Sequence, residues 1–484
     1  MAEPIMGDVK NVAYGSLANM LANLGNFVFY SVLVVKFSVT ALSYYALAFN
    51  LYYLVGQFAS LGIGNLLIRT YYSTSEKASF FANAVFVQIA ASVVFYGAGI
   101  LLVFLSNYGD QVRLLFIFVG LMILADNISY VAANVLISLG KQRYTAYSTI
   151  IEVALKVVVG IAVFSGSIAS LGSVVKFLLV FRYVSCIVQV LLLVRTERRD
   201  ILRWPDIVTV RADMIRSQLT AGRLFFLITL LISTYTRLPV LLLPRLSSIE
   251  QVAFFDVAWK ILAVFMYLPG IVVSTFYPQI LKRIDAWTSL SGVTSKFLRL
   301  FIPMMNLLII LACILVPLLV LRVYGLRYYQ SIFNFNAMVV SLGILGVINT
   351  QANIMFSHKL ERIDLRLNVL MLAIILLLTW LLVPSWGSYG VAASFFIARI
   401  VVLAIQSLTL RMLLPDLSIK QDLVDIYLVP VILFLVTMPV FYNIGKYLVS
   451  PLLVMYMLWL WLRRRDDFKM LFRRVKHELI TARI

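Results

Sequence analysis

Apolar residues run along this chain in long unbroken stretches, not in strict alternation and not on a single helical stripe. Windows of about 20 mostly apolar residues, the length of a membrane-spanning helix, recur fourteen times. They fall at roughly 11–34, 40–68, 80–105, 114–138, 147–165, 172–194, 224–244, 251–280, 300–321, 332–356, 367–384, 389–410, 426–444 and 448–462. Stretches of this length, without period-2 patterning, predict helices rather than strands. The expected fold class is an all-α polytopic membrane protein of about 14 transmembrane helices.

The polar segments between the windows orient the chain. With the N-terminus placed in the cytoplasm and the loops alternating, 29 of the 41 Lys and Arg fall on the inner side, 6 on the outer side and 6 within spans. That asymmetry is the positive-inside signature of a multi-pass protein, and it predicts that both termini are cytoplasmic. The first span reads as a retained helix, since no small-residue cleavage pattern follows it. Outer loops are short, the longest being 322–331. The longest inner loop, 195–223, carries seven arginines and separates spans 1–6 from spans 7–12. The expected organisation is therefore an N-terminal lobe over 1–194, a basic linker over 195–223, a C-terminal lobe over 224–412, two further helices over 413–462 and a basic tail over 463–484.

The two six-span halves repeat one another. Tyr44-Tyr45-Ala46-Leu47-Ala48-Phe49-Asn50 matches Phe254-Phe255-Asp256-Val257-Ala258-Trp259-Lys260, 210 residues on. Asn19, Asn23 and Asn26 of span 1 correspond at the same offset to Thr229, Ser233 and Thr236. Ala133-Asn134-Val135-Leu136-Ile137-Ser138 matches Ala352-Asn353-Ile354-Met355-Phe356-Ser357, and Ser170-Leu171-Gly172 matches Ser388-Tyr389-Gly390. An even number of spans per repeat inserts both halves the same way up. Such parallel repeats are a transporter architecture, with substrate held where the halves face each other. Prolines at 239, 244, 269, 278, 303 and 317 are expected to bend spans 7–9.

Composition narrows the function. The 484 residues are 62% apolar and 13% charged, with mean hydropathy +0.97, against about 25% charged in an ordinary soluble domain. A soluble enzyme, a disordered chain and a disulfide scaffold are excluded. The only cysteines, Cys186 and Cys313, lie in apolar runs, and the only histidines are His358 and His477, so no metal site and no cofactor are expected. The net charge of +20 is spread over inner loops, which is topology rather than a nucleic-acid footprint.

Charges within spans are costly, at about 2.5–3.5 kcal/mol each on insertion scales, and so need a reason. The cations there are Lys156, Lys176, Arg182, Arg237, Lys260 and Arg399, and the acids are Asp126, Glu152 and Asp256. Glu152 with Lys156, and Asp256 with Lys260, stand at i, i+4 and are expected to pair on one helix face. Arg182, Arg237 and Arg399 have no such partner, whereas Lys176 is expected to snorkel to the interface. Excess positive charge in a central cavity suits an anion, and arginine forks suit phosphate. The amides of Asn19, Asn23, Asn26, Asn50 and Gln57 suit sugar hydroxyls, or equally hydrogen bonds between helices. Asp126, Glu152 and Asp256 are the candidate ion-coupling carboxylates.

Several motifs carry a resemblance: Tyr44-Tyr45-Ala46-Leu47-Ala48 followed by Leu61-Gly62-Ile63-Gly64 and Arg69; Ala258-Trp259-Lys260 followed by Pro278; Tyr324-Gly325 with Tyr328-Tyr329; and Val383-Pro384 with Gly387-Ser388-Tyr389-Gly390-Val391-Ala392-Ala393. In their order they resemble the multidrug/oligosaccharidyl-lipid/polysaccharide exporter superfamily, and within it bacterial polysaccharide (O-antigen type) flippases, over roughly 10–412. The resemblance implies two six-helix lobes in a V with two appended helices, working by alternating access in the bacterial inner membrane, often with an ion gradient. It implies an undecaprenyl-pyrophosphate-linked oligosaccharide as substrate, contact with membrane lipids, and polysaccharide polymerase or chain-length proteins as partners. Lipid II flippases carry a span-8 Tyr-Tyr-Ala-Asp-Arg-Leu pattern whose arginine lies in the cavity. Lys260 is the matching cation here. Those flippases also carry span-1 arginines where this chain has asparagines, which argues against lipid II itself. The pyrophosphate contacts expected are Arg237, Lys260 and Arg399, with Arg182 nearby. A drug/cation antiporter of the same superfamily fits less well, because the spans hold more cations than acids. A membrane polysaccharide polymerase or ligase fits less well, because no large outer loop is expected to carry catalysis.

Overall fold

The computed structural model describes residues 4–71, 74, 76–106, 108–201, 211–281, 287–358, 360–414, 424–440, 448–449 and 451–459. Its described regular structure is helical throughout. In chain order the helices are α1 (Pro4–Lys36), α2 (Val39–Ser60), α3 (Ile63–Thr70), α4 (Lys77–Leu105), α5 (Asp110–Gly120), α6 (Met122–Ser138), α7 (Gln142–Phe164), α8 (Leu171–Ile201), α9 (Ala212–Leu246), α10 (Glu250–Leu281), α11 (Trp287–Leu319), α12 (Tyr329–Val340), α13 (Leu342–Ser357), α14 (Glu361–Trp386), α15 (Ser388–Leu413) and α16 (Val429–Val436). They cover the windows expected for the first twelve spans. The last two windows are described in part, and the basic tail after 462 lies outside the described residues. Among the described residues nine helical stretches are long and apolar enough to cross a membrane. The protein is a multi-pass membrane protein.

Several expected spans are broken. Span 2 divides into α2 and α3 at Leu61 and Gly62, whose φ values are +48° and +69°. The break is built in, not frayed. Gln88, fully buried, donates from Nε2 to the Ser60 carbonyl at 2.7 Å, satisfying an acceptor that the helix itself has released. A Cβ on Gly62 would lie 2.9 Å from the Phe226 backbone nitrogen and 3.0 Å from the Gly222 carbonyl oxygen. Only glycine therefore lets α9 approach so closely in a left-handed conformation. Spans 4 and 10 are interrupted more mildly, α5 from α6 at Leu121 and α12 from α13 at Ser341, each a single residue that stays in the right-handed region. Helix also reaches further into 195–223 than the hydrophobic pattern predicts. α8 reaches Ile201 across a kink at Glu197, whose φ is −125°, and α9 starts at Ala212, so the polar residues there extend helices beyond the apolar windows. α9 and α11 continue as single helices through Pro239, Pro244, Pro303 and Pro317.

Chain contacts divide the molecule into two compact units. The first is residues 1–271 with 355–398, and the second is 272–354 with 399–484. In the first unit α1 lies along α7, and α9 lies along α2, α3 and α14. A Cβ on Gly25 would overlap the Val153 side chain, so that glycine allows the α1–α7 approach. A core of Ile63, Leu67, Tyr71, Val131, Val135 and Leu193 joins α3, α6 and α8. At the start of α9, Arg211 bonds Glu76 at 2.6 Å and Asp213 at 2.8 Å. The Arg211 hydrogen bond holds the Asp213 carboxyl below the usual carboxylate range. In the second unit, Asn306 of α11 donates to the Asp425 carbonyl at 2.8 Å and to the Tyr456 hydroxyl at 3.1 Å. Tyr456 in turn donates to the Asp425 carboxylate at 2.8 Å. These bonds tie the helical residues 424–428 and 451–459 to α11.

Candidate substrate-translocation site

Two groups of intramembrane charges stand side by side in the first unit, and they differ in how the charge is met. In the first group, Arg237 of α9 donates to the Asn50 side-chain carbonyl of α2 at 3.1 Å. Its guanidinium lies over the rings of Tyr53 at 4.7 Å and Trp259 at 5.5 Å. Lys260 of α10 sits over Tyr30 at 5.5 Å and over the same Tyr53 at 5.6 Å. Both cations therefore share one aromatic ring, and among the described ion pairs neither has a carboxylate. Aromatic faces ease a desolvated cation by about 0.5–2 kcal/mol each, which leaves most of the charge available.

This overturns one expected pairing. Asp256 and Lys260 are not an ion pair among the described contacts. Asp256 accepts a hydrogen bond from Asn50 Nδ2 at 3.4 Å instead. Asn50, with its amide also held by the Ala46 carbonyl at 2.8 Å, thus bridges Arg237 and Asp256. Asp256 is 3% exposed, and its Oδ2 has no hydrogen-bond partner. Helical spacing brings two side chains to one face, but the rings of α1 and α2 offer Lys260 a competing seat.

In the second group the charges are closed on each other. Arg182 of α8 is clasped by Asp126 of α6 and by Glu152 of α7. Tyr52 of α2 donates its hydroxyl to the other Asp126 oxygen. Lys156 bonds Glu152 at 2.6 Å, as the i, i+4 spacing predicts, and donates to Asn26 of α1 at 3.1 Å. Helical spacing predicts no partner for Arg182; its two carboxylates arrive from neighbouring helices instead. The group lines a cavity of about 660 Å³ walled by side chains of α1, α2, α6, α7 and α8, among them Tyr53, Gln57, Asn127, Tyr130 and Thr149. Tyr53 thus faces the cavity and also carries both cations of the first group.

The other expected residues are dispersed. Gln57 lines the cavity and donates to Ser60 at 3.1 Å. Asn23 is half-buried on α1, and the Asn19 side chain lies outside the described residues. Thr229 and Thr236 bond backbone carbonyls of their own helix. Lys176 is exposed, with its ammonium 5.2 Å from the Phe118 ring. Arg399 belongs to the second unit, where it is 4% exposed and donates to Ser341 at the α12–α13 break. Sequence reasoning did not single out Tyr30, Tyr52 or Tyr53 as site residues. A signal was present in the aromatic run Tyr45, Phe49, Tyr52 and Tyr53, whose rings meet in tilted and edge-on contacts along α2 at centroid separations of 4.4–6.2 Å.

The fold has solved counterparts. The structure described as the lipid II flippase MurJ in an inward closed conformation matches with TM-score 0.69 at 14% identity, over 94% of this chain and 99% of that one. The structure described as the MATE multidrug transporter DinF-BH matches with TM-score 0.63 at 15% identity, over 87% and 98%. A MOP superfamily transporter from Pyrococcus furiosus, whose description speaks of a binding pocket of reversed polarity, matches with TM-score 0.60 at 12% identity, over 85% and 96%. At these identities the likeness establishes the fold. No curated protein matches by sequence. The family signature described as polysaccharide biosynthesis protein matches residues 9–284, more than half of the chain, and the protein belongs to that family.

Proposed function

We propose that this protein is a flippase that moves a pyrophosphate-linked, lipid-anchored oligosaccharide, an O-antigen type repeat unit, from the cytoplasmic to the outer leaflet of the bacterial inner membrane. The observation that carries this reading is the pair Arg237 and Lys260 sharing the Tyr53 ring, cations framed by rings and an amide instead of carboxylates. Placing a pyrophosphate in a low-dielectric site without compensation is prohibitive, and two cations against the single carboxylate of Asp256 leave net positive charge to provide the compensation. The polysaccharide biosynthesis family and the flippase and exporter folds support the same reading. The lipid tail stays in the bilayer while the headgroup crosses between the lobes by alternating access.

Asp256 is the best placed of the three coupling candidates. Each Asp126 and Glu152 oxygen already has a partner, whereas Asp256 keeps one oxygen without one and shares Asn50 with Arg237. A proton or sodium ion arriving there would alter the Asn50 bridge and, through it, Arg237. Both termini lie in the cytoplasm in this reading, and the polymerase and chain-length proteins that consume the repeat unit are its partners.

The test is reconstitution in proteoliposomes with a fluorescent undecaprenyl-pyrophosphate-linked oligosaccharide. Arg237→Ala should fold with wild-type thermal stability and lose at least tenfold in flipping rate, equivalent to about 1.4 kcal/mol. Unimpaired flipping by that variant, or export of a cationic dye in place of the lipid-linked sugar, overturns the proposal.

A further inference from the structure

We infer that the cavity beside Tyr53 is the glycan subsite and that its balanced charge selects uncharged sugars over acidic ones. The inference rests on the flippase reading and adds the substrate class to it.

The lining supplies what a sugar requires. A volume of about 660 Å³ falls among ligand pockets of about 300–1,000 Å³. Tyr53 and Tyr130 offer flat apolar faces, while Asn26, Gln57, Asn127 and Thr149 offer donors and acceptors. The charged residues add more. Each oxygen of Asp126 and Glu152 has one partner, Tyr52 and Arg182 on the former and Lys156 and Arg182 on the latter. A carboxylate oxygen has about two acceptor sites, so each oxygen retains capacity for a sugar hydroxyl. The position agrees as well. Tyr53 belongs both to the cavity wall and to the Arg237–Lys260 pair, so a sugar in the cavity sits next to cations that suit its pyrophosphate.

Selectivity follows from charge counting. The cavity holds two cations, Lys156 and Arg182, and two anions, Asp126 and Glu152, all engaged with one another. A neutral polyhydroxyl enters without disturbing them. A sugar bearing a carboxylate meets two carboxylates at close range and finds both cations occupied. It must break an existing pair or bear the repulsion, which is how sites exclude unwanted ligands.

The experiment measures binding to the full chain in lipid nanodiscs by saturation-transfer NMR. The probes are inorganic pyrophosphate alone, then a neutral trisaccharide and its uronic-acid counterpart, each with pyrophosphate present so that Arg237 and Lys260 already face an anion. The wild type should bind the neutral trisaccharide at least tenfold more tightly than the uronate; one uncompensated like charge about 4 Å away at an effective dielectric near 20 sets an upper bound of roughly a thousandfold. Glu152→Gln frees Lys156 and should bring the uronate level with the neutral sugar or ahead of it. Lys156→Met leaves an excess carboxylate and should widen the gap. Equal wild-type binding of the two sugars, or a ratio unmoved by both folded variants, overturns the inference. Pyrophosphate separates the two readings. If it binds and is lost in Arg237→Ala while neither sugar binds, the flippase reading stands and the glycan subsite falls. If the neutral sugar binds and pyrophosphate does not, the subsite stands and the flippase reading falls.

Discussion

Arg182 and Arg237 are the same residue type on neighbouring helical scaffolds, both inside the membrane span, and they serve opposite ends. Arg182 is saturated. Two carboxylates from two other helices hold it, and the group it belongs to sums to zero. Arg237 is framed. One amide oxygen and two rings hold it in place, and with Asp256 on the other side of the same Asn50 amide the group of Arg237, Lys260 and Asp256 keeps a net positive charge. The lesson is that an arginine in a membrane helix reveals its role only through its partners. A carboxylate partner makes it part of the wall, whereas aromatic and amide partners orient it and leave its attraction for an anion intact.

The comparison breaks most visibly under alanine substitution of the saturated arginine. Removing one member of a buried ion cluster costs about 3–5 kcal/mol. With the Arg182 side chain 22% exposed, Arg182→Ala should cost somewhat less than that, about 2–3 kcal/mol after allowance for solvent screening. The check is a large drop in the thermal midpoint of the purified protein. A midpoint equal to that of Arg237→Ala would erase the distinction between the two arginines. Gly62→Ala comes next. It requires a left-handed alanine, at about 1–2 kcal/mol, and pushes on the Phe226 and Gly222 backbone. Because this contact seats α9 beside α2, the variant should lower both the midpoint and the flipping rate. Lys260 sharpens the comparison further. Lys260→Arg should keep most transport and Lys260→Gln should lose it several-fold, both at unchanged stability. Equal transport by the two would deny the cation its role. The smallest effect belongs to the exposed cluster at the start of α9. Asp213→Asn should leave the midpoint unmoved at physiological salt, where surface pairs are screened. The Asp213 carboxyl is held low by Arg211. Any stabilisation from it is complete above the ordinary aspartate range and fades only as pH falls through the lowered value, so the midpoint should show the same flat pH dependence near neutrality in both proteins and any difference between them should shrink on acidification.

Hydrophobic runs alone were enough to read an all-helical, multi-pass chain, because a span must satisfy its backbone internally and stay apolar for about 20 residues. Within one helix the sequence was legible too. Glu152 and Lys156 pair as their spacing predicts, since i, i+4 positions face the same way wherever the helix packs. The same rule failed for Asp256 and Lys260, where Asn50 of α2 and the rings of Tyr30 and Tyr53 outcompete the helical neighbour. It was silent on Arg182, whose partners lie 56 and 30 positions away in the chain. The breaks in spans 2, 4 and 10 also escaped the pattern. A residue such as Leu61 with positive φ is tolerated only because Gln88 and the α9 backbone meet the chain there.

What the sequence determined by itself is that the chain folds into long apolar helices and which residues within them carry charge. These depend on local periodicity and on the cost of polar groups in lipid. Which charges cancel and which remain available was decided only by tertiary structure. Charge pairing depends on distances of a few ångströms between different helices, and those distances are set by packing contacts such as Gly25 against Val153 and Gly62 against Phe226.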